Sequence, residues 1–371
     1  MGTIFVEKER LSSNYVPERL LHRDYQLSVL RELLLDAVER RATMLRTVVV
    51  IGPTGVGKTS SIVLLHRSFQ ARGLRYMFAH VNMRIEGETP FQLFSSLYEK
   101  LTGVQASRSL GAQELLKEIA GVLRKRDLPA LLVFDEVEFH ARSSLRSVIY
   151  ALVRLHEIVA VPVPVSMVFI ARSLDWLKLL DSAERSSLGN LIVRYPPYSR
   201  EQLYDILSYR ASESFAKGAI GDDVIRWLAE YTYTYMSSDV RRALDTLLYA
   251  GILAEQEDSG RVSLRHVVSA LRNLETFIAP ADVESLSMRE KILLYALLQL
   301  VKAKPYVRLS ELWEEYNSLL ESYGEKQVDY EEFEDLVQHL ADIGALMVEG
   351  PTRVAPAPSL NLEAIRSHLK P

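Results

Sequence analysis

The 371-residue sequence contains no cysteine. Disulfides, thiolate metal sites and cysteine nucleophiles are excluded together, and the composition suits a reducing compartment. Long apolar runs are also missing. The longest, near 160–171 and 292–301, fall short of the roughly 18 residues that span a bilayer. The opening MGTIFVEKER has no apolar h-region, so no signal peptide is expected, and Val6 breaks the myristoylation pattern. No two of the eight histidines are spaced i, i+4, which removes the simplest helical zinc pattern. No Ser-His-Asp nucleophile pattern stands out. The expectation is a soluble, cytoplasmic protein with no membrane role.

A strong charge of either sign is missing as well. The 44 Lys and Arg against 48 Asp and Glu leave a net charge of −4, so any attraction to nucleic acid must come from local basic patches. The imbalance is regional. Residues 281–371 hold 9 basic and 16 acidic side chains, a net of −7, and the remainder is weakly positive.

What is present is ordinary globular composition, 48% hydrophobic and 25% charged, at a length that suits two or three domains. Up to about residue 197, short apolar runs alternate with amphipathic stretches. Strands are expected at Thr47–Ile51, Tyr76–Asn82, Ala130–Phe134 and Ser166–Ala171. Helical patterns fall at about 60–72, 90–102 and 112–126. That alternation predicts an α/β core with a parallel sheet flanked by helices. After the YPPYS break the chain reads as helices alone, at 199–215, 222–230, 237–255 and 263–276, with a linker at FIAPADVESLS. From there, helices at Met288–Val301, Arg308–Glu321 and Asp329–Ile343 precede two short strands around Gly350-Pro351. This is the pattern of a winged helix. The expected parts are 1–197, 198–278 and 279–371.

Gly52-Pro53-Thr54-Gly55-Val56-Gly57-Lys58-Thr59 matches G-x-x-x-x-G-K-[ST] directly after a strand and before a helix. Glycines let backbone N–H groups approach phosphate oxygens, and the helix N-terminus favours the anion. Lys58 meets the β- and γ-phosphates, the Thr59 hydroxyl joins a Mg²⁺ shell, and expected nucleotide contacts run through Ser60. A second strand, Leu131–Phe134, ends in Asp135-Glu136. Asp135 can serve Mg²⁺, and Glu136 can polarise the attacking water. A solvated strand end gives the same pair, but the phosphate loop upstream favours the functional reading.

With both elements in view, the chain resembles an AAA+ ATPase, and more narrowly the archaeal origin-recognition initiators, relatives of the eukaryotic origin recognition complex and its helicase loader. Three further stretches carry the resemblance. The segment Tyr15-Val16-Pro17-Glu18-Arg19-Leu20-Leu21-His22-Arg23-Asp24-Tyr25-Gln26 is similar to the one that wraps the adenine in that family, which would put Val16 and Arg23 at the base; a segment merely packing on the helical domain is the alternative. Ser166–Gly189 resembles the sensor-1 strand and following helix. There the sequence departs from the family, with Arg172 where asparagine is usual and Ala183 at the arginine-finger position. Arg185, two residues on, is the other candidate finger, and its residue pattern slightly favours a surface helix residue instead. Ser237–Asp245 (SSDVRRALD) resembles the sensor-2 motif of a helical lid, which implies that Arg241 reaches the γ-phosphate. Tyr198 and Arg210 resemble lid positions that flank the nucleotide.

The resemblance implies ATP or ADP with Mg²⁺ as cofactors, slow ATPase activity used as a conformational switch, and origin duplex DNA as partner, with paralogous initiators and a replicative helicase as further partners. In the family the winged helix docks on duplex DNA. The candidate recognition helix here, Tyr330–Leu340, carries four carboxylates in its first half, which a phosphate backbone repels. DNA contacts would then fall to Arg84, Arg108 and Arg142 in core loops and to Lys302, Lys304, Arg308 and Arg353, each of which also reads as a solvated charge. Two other readings stay open. One is a remodelling or clamp-loader-like ATPase. The other is a nucleotide-locked regulator whose acidic winged helix binds a protein.

Overall fold

In a computed structural model of the chain, which describes residues 3–39, 46–87, 89–139, 145–155, 164–274, 286–301, 306–342, 345–349 and 352–356, the β-branched run Arg46–Ile51 is strand β1. Val48 to Ile51 are all buried. Strands β2 (Met77–Asn82), β3 (Ala130–Asp135), β4 (Val165–Ala171) and β5 (Ile192–Arg194) complete a five-stranded sheet in the order β2-β3-β4-β1-β5, with every pairing parallel. β3 and β4 are buried along their whole length, as a parallel sheet covered on both faces requires. The four expected strands are present. The fifth, β5, has only three residues in an exposed–buried–exposed pattern, too short to show periodicity. It forms because Val49–Ile51 of β1 offers it a free edge.

Helices α1 (Asp24–Glu39), α2 (Lys58–Ala71), α3 (Pro90–Thr102), α4 (Ala112–Arg126), α5 (Leu145–Val153) and α6 (Ser182–Leu188) join the strands. α3 opens on a capping box: Gln92 N donates to Thr89 Oγ1 at 3.3 Å, and Thr89 N donates to Gln92 Oε1 at 3.0 Å. Leu93, Phe94 and Leu97 of α3 join Leu115, Leu116, Ile119 and Leu123 of α4 in one buried cluster with the sheet. Phe134 and Phe169 stack within it at 5.3 Å.

Helices α7 (Arg200–Ser214), α8 (Asp222–Tyr235), α9 (Val240–Gln256) and α10 (Leu264–Leu274) follow. Two differ from expectation. α8 runs five residues past the expected end at 230. The β-prone YTYTY run is held helical by a ring ladder one turn apart, Trp227 on Tyr231 at 5.2 Å and Tyr231 on Tyr235 at 4.9 Å, so side-chain packing outweighs local propensity. α9 starts at Val240 rather than 237, because Ser237 and Ser238 take left-handed φ of 51° and 59°.

The chain separates into two compact units, Glu7–Ser214 with Ile225–Leu244, and Met1–Val6 with Phe215–Val224 and Asp245–Pro371. The second contains α11 (Met288–Leu300), β6 (Val307–Arg308), α12 (Leu309–Ser322), α13 (Tyr330–Asp342), β7 (Leu346–Glu349) and β8 (Arg353–Pro356). Their three-stranded antiparallel sheet, in the order β6-β8-β7, and three helices form a winged helix over a core that includes Leu293, Leu297, Tyr316 and Phe333. The expected helix from Arg308 is corrected: Arg308 belongs to β6, pairs with Arg353, and the helix begins at Leu309. Most of the expected linker and the Gly350-Pro351 turn lie outside the described residues. Among the described residues, no helix is long and apolar enough to cross a membrane.

Candidate functional site

The phosphate loop leaves β1 at Ile51 and enters α2 at Lys58, with Gly52, Gly55 and Gly57 at φ of 156°, 75° and 91°. Two of these glycines are enforced by close approach. A Cβ on Gly52 would strike the Tyr195 carbonyl, and one on Gly55 would strike the Asp239 side chain. From behind, the Val56 carbonyl accepts from Arg23 Nε at 2.9 Å and from the Tyr198 hydroxyl at 3.1 Å. Arg23 also donates to the Pro196 carbonyl at 2.8 Å and lies 3.7 Å over the Tyr198 ring.

Arg23 is 1% exposed and does not line the cavity described below. Its guanidinium props the loop rather than reaching toward a base. Burial lowers its pKa, partly offset by the two tyrosines. Arg23→Ala removes a charged donor from the buried Val56 carbonyl and from the Pro196 carbonyl. It is expected to cost on the order of 3 kcal/mol of stability, read as a lower urea midpoint. An unchanged midpoint would contradict this role.

In front of the loop lies a cavity of about 450 Å³, within the range of small-molecule sites. It brings together Thr54, Gly55, Val56, Gly57, Lys58, Thr59 and Ser60 with Asp135, Glu136, Tyr198, Arg210 and Arg241. Of the expected nucleotide residues, Gly52, Pro53, Val16 and Arg23 do not line it. The Val16 carbonyl instead accepts from Arg67 at 3.1 Å.

One end of the cavity is acidic and cationic together. Lys58 Nζ donates to the carbonyls of Gly52 and Pro53, both at 2.6 Å. Burial pushes this ammonium down to about 8; Asp135 and Glu138 oppose the shift, and Arg241 and Arg172 add to it. Thr59 Oγ1 donates to Asp135 Oδ2 at 2.6 Å. His80 Nε2 stands 3.5 Å from the same oxygen, an ion-pair distance rather than a formed hydrogen bond. Burial pushes the Asp135 carboxyl up, yet His80, Thr59 and the Glu136 amide outweigh it, and the group sits below its ordinary range. Glu136 has φ 55°. Arg172, following β4, faces Glu136 at 3.8 Å and Glu138 at 3.5 Å. Burial raises Glu138 against the pull of Arg172 and nearby amides.

Elsewhere the lining is more apolar, with Tyr15, Pro17, Leu20, Leu21, Ile206, Tyr209 and Leu244. Arg210 is pinned in place: it donates to the Arg10 carbonyl, approaches Glu213 at 3.9 Å and lies 5.0 Å over the Tyr15 ring. Arg241 enters from the first turn of α9, where its amide donates to Asp239 Oδ1 at 2.9 Å. The same Asp239 side chain crowds Gly55, and Ser238 Oγ donates to the Tyr198 carbonyl at 2.9 Å. The left-handed serines thus set the start of α9 against the phosphate loop.

Sequence reasoning missed His80, Asn82, Asn14 and Tyr209 on the cavity wall. For His80 and Asn82 the signal is the parallel register that pairs Asn82 with Asp135, which needs the strand order. Among the described residues no cluster of three His, Cys, Asp or Glu is set to hold a metal.

The basic residues expected to meet DNA are dispersed. Arg84 and Arg108 are exposed in loops of the core, Arg84 lying 4.3 Å over the Phe139 ring. Arg308 and Arg353 are exposed and directly opposed across β6 and β8, with Arg353 lying 4.5 Å over the Tyr306 ring. Arg142, Lys302 and Lys304 lie outside the described residues. On α13, Phe333, Val337 and Leu340 are buried, and Glu331, Glu332, Glu334 and Asp335 face solvent.

A phosphate loop on a five-stranded parallel sheet, a helical region and a winged helix define an AAA+ protein of the Cdc6 kind. Family models agree along the chain: an AAA domain at 44–180, a Cdc6 AAA+ ATPase-type lid domain at 204–272, and a CDC6 C-terminal winged helix domain at 281–353. The chain is 31% identical over 357 residues to ORC1-type DNA replication protein 2 of Saccharolobus solfataricus, covering 92% of this chain and 86% of that one. It is 30% identical over 346 residues to ORC1-type DNA replication protein 1 of Aeropyrum pernix, covering 92% and 87%. The solved structure of the Aeropyrum pernix ORC1 protein in complex with DNA superposes with a TM-score of 0.69 at 28% identity, over 100% of this chain and 97% of that one. The chain belongs to the family of archaeal ORC1-type (Cdc6-like) DNA replication proteins.

Proposed function

We propose that the chain is an initiator that binds ATP with Mg²⁺ in the described cavity, hydrolyses it slowly, and uses nucleotide state to set its grip on origin duplex DNA. The observation that carries this reading is the convergence of Lys58, Thr59, Asp135, Glu136 and Arg241 on one cavity wall. Lys58 and Arg241 bind the γ-phosphate, and the loop from Gly52 to Ser60 supplies backbone donors. Glu136 is the general base. Tyr198 and Arg210 flank the nucleotide, and the apolar lining with Tyr15 and Leu20 suits the base.

The residues fit Mg²⁺ by donor chemistry. A hydroxyl and an ionised carboxylate stand 2.6 Å apart at the loop, hard oxygen donors of the kind that ion takes while keeping water. Thr59 and Asp135 would hold it, and it would neutralise charge between the phosphates. Solved relatives described as ADP and ADPNP complexes support a nucleotide in such a cavity.

The proposed parts are a core at 1–197, a lid at 198–278 and a winged helix at 279–371. DNA as partner is supported by the relative solved with DNA and by the opposed arginines of the wing. Like charges directly opposite on paired strands are unfavourable, and a phosphate between them would offset that. Paralogous initiators and a replicative helicase are further proposed partners.

A second reading, a winged helix that binds a protein, is favoured by the exposed carboxylates of α13. A salt titration of duplex binding separates the two. The initiator reading expects affinity to fall steeply with salt, with Arg308→Ala and Arg353→Ala each lowering the log–log slope by about 1. It also expects an ATP analogue and ADP to give different affinities. Absence of duplex binding at low salt would overturn it in favour of the protein partner.

A further inference from the structure

The position after β4 decides how the hydrolytic end of the cavity is wired. β4 lies between β1, which carries the phosphate loop, and β3, which ends at Asp135. The residue leaving β4 therefore emerges between the phosphate seat and the Asp135-Glu136 pair. That residue is Arg172, and both Arg172 and Glu136 line the cavity.

Its guanidinium is held on three sides. Nη2 is 3.8 Å from Glu136 Oε1, and Nε is 3.5 Å from Glu138 Oε1. The Phe139 ring centre is 5.4 Å away. The Arg172 amide donates to the same Glu138 oxygen at 3.3 Å, so backbone and side chain grip one carboxylate. The partners come from the short segment after β3, and Glu136 is fixed at its start by a left-handed φ and by its own amide donating to Asp135 Oδ1 at 2.9 Å.

We propose that Arg172 is a brake built into this chain: it pairs with Glu136 and hinders that carboxylate from taking the proton of water, so bound ATP is hydrolysed slowly. The inference rests on the reading of Glu136 as general base. In hydrolysis the water oxygen bonds to the γ-phosphorus, and the bond from that phosphorus to the β–γ bridging oxygen breaks. One water proton passes to Glu136, and ADP and inorganic phosphate leave. A carboxylate accepts that proton through an oxygen lone pair free of other donors. A guanidinium beside Oε1 crowds that face of the carboxylate and hinders a water from reaching it. A neutral amide at this position would orient water without that effect. Arg172 is thus a positioning residue that acts through Glu136.

The test uses the full chain with ATP and Mg²⁺, measuring single-turnover hydrolysis and, separately, nucleotide affinity with a fluorescent ATP analogue. Arg172→Asn and Arg172→Gln are each expected to hydrolyse ATP about 10-fold faster or more, with affinity within about threefold of wild type. Arg172→Lys, which keeps a cation beside the base, stays near wild type. Arg172→Asn combined with Glu136→Gln is as slow as Glu136→Gln alone. Misfolding cannot produce a gain in rate, so acceleration in either variant supports the brake. Hydrolysis equal to or slower than wild type in both neutral variants, with nucleotide still bound, would overturn it. A Glu136→Gln protein that hydrolyses ATP at the wild-type rate would remove the base assignment itself, and the brake with it.

Discussion

Glu136→Gln is expected to lower ATP hydrolysis by about 10–10³-fold, the range of a general base less the roughly tenfold brake of Arg172, while leaving nucleotide affinity within about threefold. The split follows from where the side chain stands. Glu136 lines the cavity beyond Asp135 and makes no contact with the phosphate loop among its described hydrogen bonds, so it adds little to ground-state binding. Its role is to accept a proton in the transition state, which the isosteric amide cannot do. Single-turnover hydrolysis and equilibrium binding measured on the same preparation check the two halves separately. Equal losses in rate and affinity would instead place Glu136 in binding. An unchanged rate would require another base, with Glu138, which shares Arg172 with Glu136, the first candidate.

Lys58→Ala is expected to weaken triphosphate binding by about 100-fold, or roughly 2.7 kcal/mol. The ammonium caps two loop carbonyls at 2.6 Å, so the loop is shaped around a cation. The same site gives a pH signature. Burial depresses the Lys58 pKa to about 8, so near that pH about half of the free protein carries a neutral lysine. A neighbouring phosphate favours the charged form and raises the pKa again. Binding should therefore take up protons near pH 8, and affinity should fall as pH rises above it. Calorimetry in buffers of different ionisation enthalpy measures the uptake. Proton release, or an equal uptake in Lys58→Ala, would contradict the assignment. The sign for stability is the reverse. The unfolded chain binds more protons at Lys58 between about 8 and 10.5, so this residue's destabilising contribution is full at lower pH and fades as pH rises through that window.

What could be read from the sequence was what lies contiguous in it. Gly52–Thr59 and Asp135-Glu136 each follow one apolar strand, and the local pattern of strand, turn and helix is enough to locate them. The apolar cores of β1, β3 and β4 showed the parallel sheet for the same reason. The unread parts depend on neighbours distant in sequence. β5 and β6 are strands only because an edge receives them. YTYTY is helical because Trp227 and two tyrosines stack one turn apart. α9 starts late because two serines adopt left-handed φ, which no residue pattern announced. In the site, Arg23 looked like a base-binding head, and its burial behind Val56 depends on Tyr195 and Tyr198 arriving from far along the chain. His80 stands beside Asp135 because β2 pairs with β3. Arg172 was legible as a departure from a family pattern, but its grip on Glu136 and Glu138 required the order of the strands.

The most direct test of the whole account is a calorimetric titration of the full chain with ATP in the presence of Mg²⁺. The account predicts saturable binding at a single site per chain, weakened about 100-fold in Lys58→Ala. A flat titration at nucleotide concentrations up to about 1 mM, where a Kd would correspond to only about −4.1 kcal/mol, would contradict it.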